Sequence, residues 1–471
     1  MNRYMIQDIV DSTGALLARG DARRAVDGVS TDTRSITSGD FFFALSGPNH
    51  DGNRFARDAI ERGAAGLMLA DPGGTPLPAV RDLPRDTPIL FHRSPRQALS
   101  ELAHWHRSRL SAPVIGITGS CGKTTTKAIL IELLSSRRRT VGSPASFNND
   151  IGVPHTLFLA DRDTEAVVVE MGTNAPGEIA GLCRTAAPTA GIITNVGATH
   201  LEGLGSVQGV AKEKSALAAS LPADGFCVLN ADCRWTRTMR TMTPARVITF
   251  SVEGSADGEG DLNATDIWFH PGGTTFRLDG TEVTSPLLGL HNVQNLLAAL
   301  AACRGLGIPL AEVLPAVSRL KAARRRLERI QVGRTTVIDD SYNANPESAR
   351  ASVRVLAGLH GHRRRVLVLG DMLELGDLAA ELHYAIGYEA AKSGIDLLVL
   401  VGELTRASAA GALEGGLDEN RVIHVDTTEE AIARVGALLE DGDVCLVKGS
   451  RRTGLDRLVN HLVGAKREDA A

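Results

Sequence analysis

The sequence predicts an α/β chain in three parts, built on mostly parallel sheets. Three observations carry this. The chain has 471 residues, more than one hydrophobic core holds, and length alone points to about three domains. Apolar runs without a polar face alternate with helical stretches on both sides of Arg324-Arg325-Arg326. A glycine-bearing turn also joins the apolar run Val114–Thr118 to a helix opening at Lys123.

The elements follow in order. Residues 71–88 hold Pro72, Pro78, Pro84 and Pro88 with Gly73-Gly74, which predicts a surface loop. A helix is expected from about Pro95 to Leu110, and Ser111-Ala112-Pro113 reads as a linker, so one boundary falls near 112. Strands are expected at 114–118, 166–170 and 190–195, all apolar enough to be buried on both faces. Residues 251–286 mix Gly/Asp turns with Ile267-Trp268-Phe269 and Thr275–Leu278, which predicts an antiparallel excursion before a helix at about 290–304. The second boundary falls at Arg324–Arg326. Beyond it, strands at 335–340, 365–369, 397–401, 422–425 and 443–447 alternate with helices as in a doubly wound unit. No G-x-G-x-x-G follows its first strand, so dinucleotide binding there is not supported.

Composition narrows the function classes. Apolar residues are 43% and charged residues 23%, which describes a globular chain. The net charge of −4 does not predict a nucleic-acid surface, and the triplets Arg137–Arg139, Arg324–Arg326 and Arg363–Arg365 read as solvated charge. No run is long enough to cross a bilayer, and Met1–Asp8 does not resemble a signal peptide, so no membrane insertion is expected. Six scattered cysteines without a CxxC pair fit a reducing cytoplasm and argue against structural zinc. His104 and His106, two apart on a helix, point away from each other.

The strongest local signal is Gly119-Ser120-Cys121-Gly122-Lys123-Thr124-Thr125 after Thr118. Backbone N–H groups at a turn and helix start face an anion, and the helix dipole adds to the attraction. Lys123 can reach β/γ-phosphates and the Thr124 hydroxyl can meet Mg²⁺. Ile117 stands where the general phosphate-loop pattern has its first glycine. Cys121 lies at a helix start that can lower a thiol pKa, although a small residue that simply fits is the simpler reading.

In a parallel sheet, ligands gather where strands end. Glu170 ends the second central strand and His200 lies just beyond the third, so both are expected near the phosphate turn, where they suit Mg²⁺ or Mn²⁺. On the next helix, Lys214 follows Val210 by four and precedes Leu217 by three, so it projects inward. Lys212, about 200° around from it, should be solvated. Periodicity alone favours a Lys214 that snorkels or pairs with a carboxylate; CO₂ carboxylation, which would let it bridge a metal, is the alternative.

Several strings together resemble the Mur ligase family. They are Thr118–Thr124, Asn148-Asn149-Asp150-Ile151-Gly152-Val153-Pro154, Glu170-Met171-Gly172, His200-Leu201-Glu202-Gly203 and His291-Asn292-Val293-Gln294-Asn295. Beyond these are Asp340-Ser341-Tyr342-Asn343-Ala344-Asn345-Pro346, Gly370–Gly376 and Lys448-Gly449-Ser450-Arg451. The resemblance spans nearly the whole chain and also accounts for Ile117. It implies an N-terminal UDP-sugar domain of α/β type (1–112), a central P-loop ATPase with a mostly parallel sheet (113–325) and a C-terminal Rossmann-like domain (326–471). It implies ATP as cosubstrate and favours carboxylated Lys214 as a metal bridge beside Thr124, Glu170 and His200. It further implies that Thr33 lies in the uridine segment, Asn148 and Asn149 meet the sugar-peptide, Asn295 meets adenine, and Arg326 and Asp340 close over ATP. By residue type alone, those last three read as a helix-face amide, a solvated linker charge and a turn acid.

Within the family, the Asp340–Pro346 and Gly370–Gly376 strings resemble the member that joins D-alanyl-D-alanine to UDP-N-acetylmuramoyl-tripeptide. That implies an acyl phosphate intermediate, with charge neutralised by Lys123, Mg²⁺ and the ligands above. Nucleic acid is not expected as a partner, and a monomer is. The member that adds a diamino acid carries an Asp-Asn-Pro-Arg string, absent here. Folylpolyglutamate synthase lacks the uridine module that residues 1–112 resemble. A guanine-selective switch would need Asn-Lys-x-Asp, also absent, and intact Lys123, Glu170, His200 and Lys214 argue against a scaffold.

Overall fold

The computed structural model describes residues 3–47, 50–71, 73, 80, 83–252, 260–270 and 272–468. Its strands are β1 (Tyr4–Met5), β2 (Leu16–Arg19), β3 (Ala25–Val26), β4 (Gly28–Ser30), β5 (Asp40–Phe43), β6 (Gly66–Ala70) and β7 (Ile89–His92) in the N-terminal unit. The central unit holds β8 (Val114–Thr118), β9 (Thr140–Gly142), β10 (Ala166–Glu170), β11 (Ala190–Ile193), β12 (Phe226–Asn230), β13 (Arg246–Val252), β14 (Leu262–His270), β15 (Gly273–Leu278) and β16 (Thr281–Ser285). The third unit holds β17 (Glu328–Val332), β18 (Thr335–Asp340), β19 (Arg365–Gly370), β20 (Leu397–Val401), β21 (Val422–Val425) and β22 (Val444–Lys448).

Each large sheet draws its strands from one stretch of chain, in the orders β2-β7-β6-β5-β4, β16-β15-β14-β13-β12-β11-β8-β10-β9 and β17-β18-β22-β19-β20-β21. β8 to β14 pair in parallel, and β14, β15 and β16 then run antiparallel as expected for 251–286. Ser251 and Val252 belong to parallel β13, and 253–259 lie outside the described residues. In the third sheet only the β17–β18 pair is antiparallel.

The central sheet is buried on both faces because successive strand residues point to opposite sides. Ile115, Ile117, Val168, Ile192 and Val228 enter one core, against α2 (Lys123–Ser135) and α5 (Leu290–Gly305). Val114, Val167, Val169, Ile193 and Leu229 enter the other, against α3 (Glu178–Ala186) and α4 (Val207–Ala219). In the N-terminal unit, helix α1 (Pro95–Ser108) begins with a Ser94 side-chain cap and Pro95 in its first turn.

Within the expected Ser111-Ala112-Pro113 linker, Ala112 packs in the same cluster as Val114, as does Leu110 before it. Of the 71–88 loop, residues 72, 74–79, 81 and 82 lie outside the described residues, while Leu83, Thr87 and Pro88 are buried. Among the described residues, no helix is long and apolar enough to cross a membrane.

Candidate active site

β8 lies between β10 and β11, so consecutive crossovers leave in opposite directions and open a crevice at its carboxyl end. The phosphate turn fills that crevice. Gly119 (φ +152°) and Gly122 (φ +83°) take left-handed conformations. Added Cβ atoms would fall 1.9 Å from Thr194 Oγ1 and 2.2 Å from Asn295 Oδ1 respectively. The chain after β11 wraps the turn: Ser120 N donates to Asn195 O (3.0 Å) and Cys121 N to Asn195 Oδ1 (2.8 Å). That wrapping explains why β11 stops at Ile193, short of the expected 195.

Lys123, first in α2, folds back so that Nζ donates to Gly119 O (2.7 Å). Burial lowers its pKa, opposed by Glu170. Thr124 Oγ1 and Asn148 Nδ2 each donate to Glu170 Oε1 (3.1 Å). Lys127, one helical turn beyond Lys123, places Nζ 3.0 Å from Glu170 Oε2 and donates to Ala145 O. Lys127 was not singled out from sequence; its i+4 spacing from Lys123 was the available signal. Thr125 lies on the first turn of α2, and Asn149 caps the next turn by accepting from Ile151 N and Gly152 N.

His200 and Lys214 are the other predicted site residues of the central unit. His200 takes φ +54° and its Nδ1 lies 2.7 Å from Glu374 Oε2 of the third unit. Burial lowers its pKa, and Lys123 adds to the effect. Lys214 is 1% exposed on the inward side of α4, whereas Lys212 is exposed. No hydrogen bond or ion pair holds its ammonium among the described residues; burial and then Lys123 push its pKa well below the usual lysine range. Its neighbour Glu213, not singled out from sequence, accepts from Gly177 N and Ile179 N (2.7 Å each) at the start of α3.

The third unit meets this turn directly. Arg326 donates to Thr124 Oγ1 (3.2 Å) and stacks over Tyr342 with its guanidinium carbon 4.3 Å from the ring centroid. Asp340 accepts from Leu327 N (3.2 Å), Ser352 Oγ and Lys448 Nζ (2.6 Å each), so it braces the segment carrying Arg326. The arginine triplets are ion-paired rather than merely solvated: Arg325 meets Asp456 (2.9 Å), Arg364 meets Asp443 (2.7 Å) and Arg139 meets Asp161 (2.8 Å).

One cleft of about 2930 Å³ joins these parts. Ser120–Thr124, Asn148, Asn149, Glu170, His200, Arg326 and Asp340 line it. Gly119, Thr125, Lys214, Asn295 and Thr33 do not. Asn295 is buried behind Gly122, accepting from Thr126 Oγ1 (3.2 Å) and donating to Asn292 Oδ1 (3.0 Å). Thr33 sits in the N-terminal unit, in a short 3-10 turn capped by Asp32. Among the described residues, no three His, Cys, Asp or Glu side chains converge as a metal cage. Glu170 nevertheless fits a divalent cation, since its buried Oε2 has an ion-pair neighbour but no hydrogen bond. The oxygen-rich set of Thr124 and Glu170 suits Mg²⁺ beside phosphate oxygens.

Cys121 does not behave as an activated thiol. Burial raises its pKa, and Sγ donates to Asn345 Oδ1 (3.1 Å). The thiols of Cys227, Cys303 and Cys445 are pushed up to about 12 by burial, and that of Cys183 to about 11. His106, buried as its partner His104 is not, meets Tyr4 Oη and Ala160 O.

A phosphate turn at the switch point, with a second α/β unit leaning over it, is the frame of a nucleotide-dependent ligase. Family models agree: "Mur ligase family, catalytic domain" matches residues 25–106, "Mur ligase middle domain" 117–303 and "Mur ligase, glutamate ligase domain" 325–451. The chain belongs to the Mur ligase family. Among curated relatives, the UDP-N-acetylmuramoyl-tripeptide–D-alanyl-D-alanine ligase of Escherichia coli is 36% identical, covering 93% of this chain and 94% of its own. A crystal structure of MurF from Acinetobacter baumannii superposes with a TM-score of 0.88 at 30% identity, covering 98% of this chain and 99% of that one. MurF ligase from Thermotoga maritima in complex with ADP matches with a TM-score of 0.80 at 25% identity, covering 94% and 99%.

Proposed function

We propose that this chain is an ATP-dependent ligase that joins D-alanyl-D-alanine to UDP-N-acetylmuramoyl-tripeptide, making the pentapeptide precursor of peptidoglycan. The observation that carries the reading is the contact of Arg326 with Thr124, a third-unit guanidinium standing on the central phosphate turn. Likeness over nearly the full length to ligases named for these substrates supports their identity. We assign the reaction to a cytoplasmic monomer without nucleic-acid partners, with working parts 1–112, 113–325 and 326–471.

In this reading the N–H groups of Gly119–Thr125 receive the ATP phosphates, and Lys123 leaves Gly119 O to meet them. The tripeptide carboxylate attacks the γ-phosphorus, the bond to ADP breaks, and an acyl phosphate forms. The free amine of the dipeptide then attacks the acyl carbon and phosphate leaves. Asn148 and Asn149 orient the sugar-peptide, Thr33 belongs to the uridine end, and Asn295 shapes the adenine end. Arg326 and Asp340 close over ATP and exclude water that would hydrolyse the acyl phosphate. Thr124, Glu170, His200 and carboxylated Lys214 would hold Mg²⁺ or Mn²⁺, which when bound supplies charge neutralisation. A lysine that is 1% exposed, with its pKa pushed well down by burial and then by the charge of Lys123, is a suitable amine to combine with CO₂.

The deciding experiment measures phosphate release with UDP-N-acetylmuramoyl-tripeptide while D-alanyl-D-alanine, D-alanine and glutamate are each offered. Release matched to amide product is expected with the dipeptide alone; a preference for glutamate overturns the assignment. For Lys214, labelled bicarbonate should give a carbamate NMR signal in the wild type that vanishes in Lys214→Ala together with ligation. Full activity in Lys214→Ala overturns that role.

A further inference from the structure

The loop between β11 and the turn at Leu201 is held from two sides. From the central unit, Gly197 N and Thr199 Oγ1 both donate to Ser120 Oγ (2.9 and 3.0 Å). From the third unit, Ala198 N donates to Glu347 Oε1 (2.9 Å), Leu201 N donates to Glu374 O (3.1 Å), and Glu374 Oε2 engages His200 Nδ1 (2.7 Å). The fit is close, since a Cβ on Gly197 would lie 2.3 Å from Glu347 Cδ.

Two features show that this grip shapes the loop. His200 (φ +54°) and Glu374 (φ +65°) are both left-handed, a conformation non-glycine residues keep only when their surroundings enforce it. Glu347 also stands in the first turn of α6 (Pro346–Ala357), whose cap Asn345 accepts from Cys121 in the phosphate turn. The helix start is thus tied to the turn and to the His200 loop at once.

We propose that Glu347 and Glu374 are positioning residues: docking of the third unit sets the His200 loop through these two carboxylates. Glu374 holds Nδ1 as the protonated ring nitrogen, leaving Nε2 as the free lone pair. Glu347 fixes the loop backbone two residues earlier and, through Gly197 and Thr199, its register on Ser120. The inference rests on the ligase reading for what His200 does, but the grip itself does not.

The test uses the full chain and four variants, Glu347→Ala, Glu347→Gln, Glu374→Ala and Glu374→Gln. In the ligand-free protein, hydrogen exchange at the Ala198 amide should speed up in Glu347→Ala and stay slow in Glu347→Gln, whose amide oxygen still accepts. NMR of labelled histidine should show His200 protonated at Nδ1 in the wild type and Glu374→Gln, and a tautomer mixture in Glu374→Ala. In turnover, each alanine variant should lose roughly 10- to 100-fold in kcat with little change in KM for ATP, and each glutamine variant should recover part of it. Unchanged kcat in both alanine variants overturns the proposal. So does a fall in kcat with Ala198 exchange and the His200 tautomer unaltered. If an alanine variant fails to fold, its glutamine partner decides, and a folded glutamine variant that loses its own marker refutes the grip. A wild type that releases no phosphate with the dipeptide defeats the ligase reading alone, and the exchange and tautomer measurements still judge the two glutamates.

Discussion

Gly119 and Gly122 carry the conformation on which the phosphate turn depends. At Gly119 an alanine meets both strain and the Thr194 hydroxyl, and at Gly122 it meets Asn295. Gly119→Ala should cost about 1–3 kcal/mol of stability and abolish ATP-dependent phosphate release, read by urea unfolding and a phosphate assay. Lys214 shows how far single residues were legible: its spacing from Val210 and Leu217 already placed it inward, and it is 1% exposed. Glu374 lies within the Gly370–Gly376 string, yet nothing local shows that it meets His200, 174 positions away. Lys127 was hidden for another reason. A lysine on a helix ordinarily reaches water, and its burial here is made tolerable by Glu170 on a neighbouring strand and by Ala145 O, both distant in sequence.

At the scale of elements, α4 presents a charged pair inward and uses the two members differently. Glu213 accepts from two N–H groups at the start of α3, where a helix leaves donors unsatisfied and a carboxylate favours the dipole. Glu213→Ala should lose about 1–3 kcal/mol in urea unfolding, and Glu213→Gln less, because it keeps one acceptor. Strands 114–118, 166–170, 335–340, 397–401 and 422–425 coincide with β8, β10, β18, β20 and β21; in β8, β10 and β20 every residue is buried, so the apolar run itself marks the element. Short β9 carries only Thr140-Val141-Gly142, half-buried throughout, and has no pattern of its own. Its place is set by pairing with β10, a long-range contact that no local window contains.

For the whole molecule, the third unit's hold on the phosphate turn should appear in kinetics. Arg326→Ala removes a charge-assisted donor from Thr124 and a stacked cation from Tyr342. It should lower kcat/KM for ATP by roughly ten- to a hundredfold, with Arg326→Lys recovering little, since an ammonium lacks the planar fork. Buried imidazoles set the acid response. Burial lowers the pKa values of His106, His155 and His383, and lowers that of His291 to about 4. Such a group takes up its proton more readily after unfolding, so stability present at neutral pH is lost as pH falls from 6.5 toward 4. His291 contributes at most about 3 kcal/mol to that loss, and His291→Asn should show a shallower decline in urea unfolding between pH 7 and pH 5. Asp339 and Asp371, raised chiefly by burial, act in the opposite sense, adding stability as they protonate at lower pH.

The shielded sulfurs carry a practical consequence. With Cys183, Cys227, Cys303 and Cys445 buried as poor nucleophiles and Cys121 bonded to Asn345, replacing half-buried Cys233 by serine should leave native thiols that compete weakly for maleimide dyes at neutral pH. One cysteine placed on the outer surface of the third unit and another on the central unit would then carry a fluorophore pair, whose distance in single molecules tests in real time the closure proposed above.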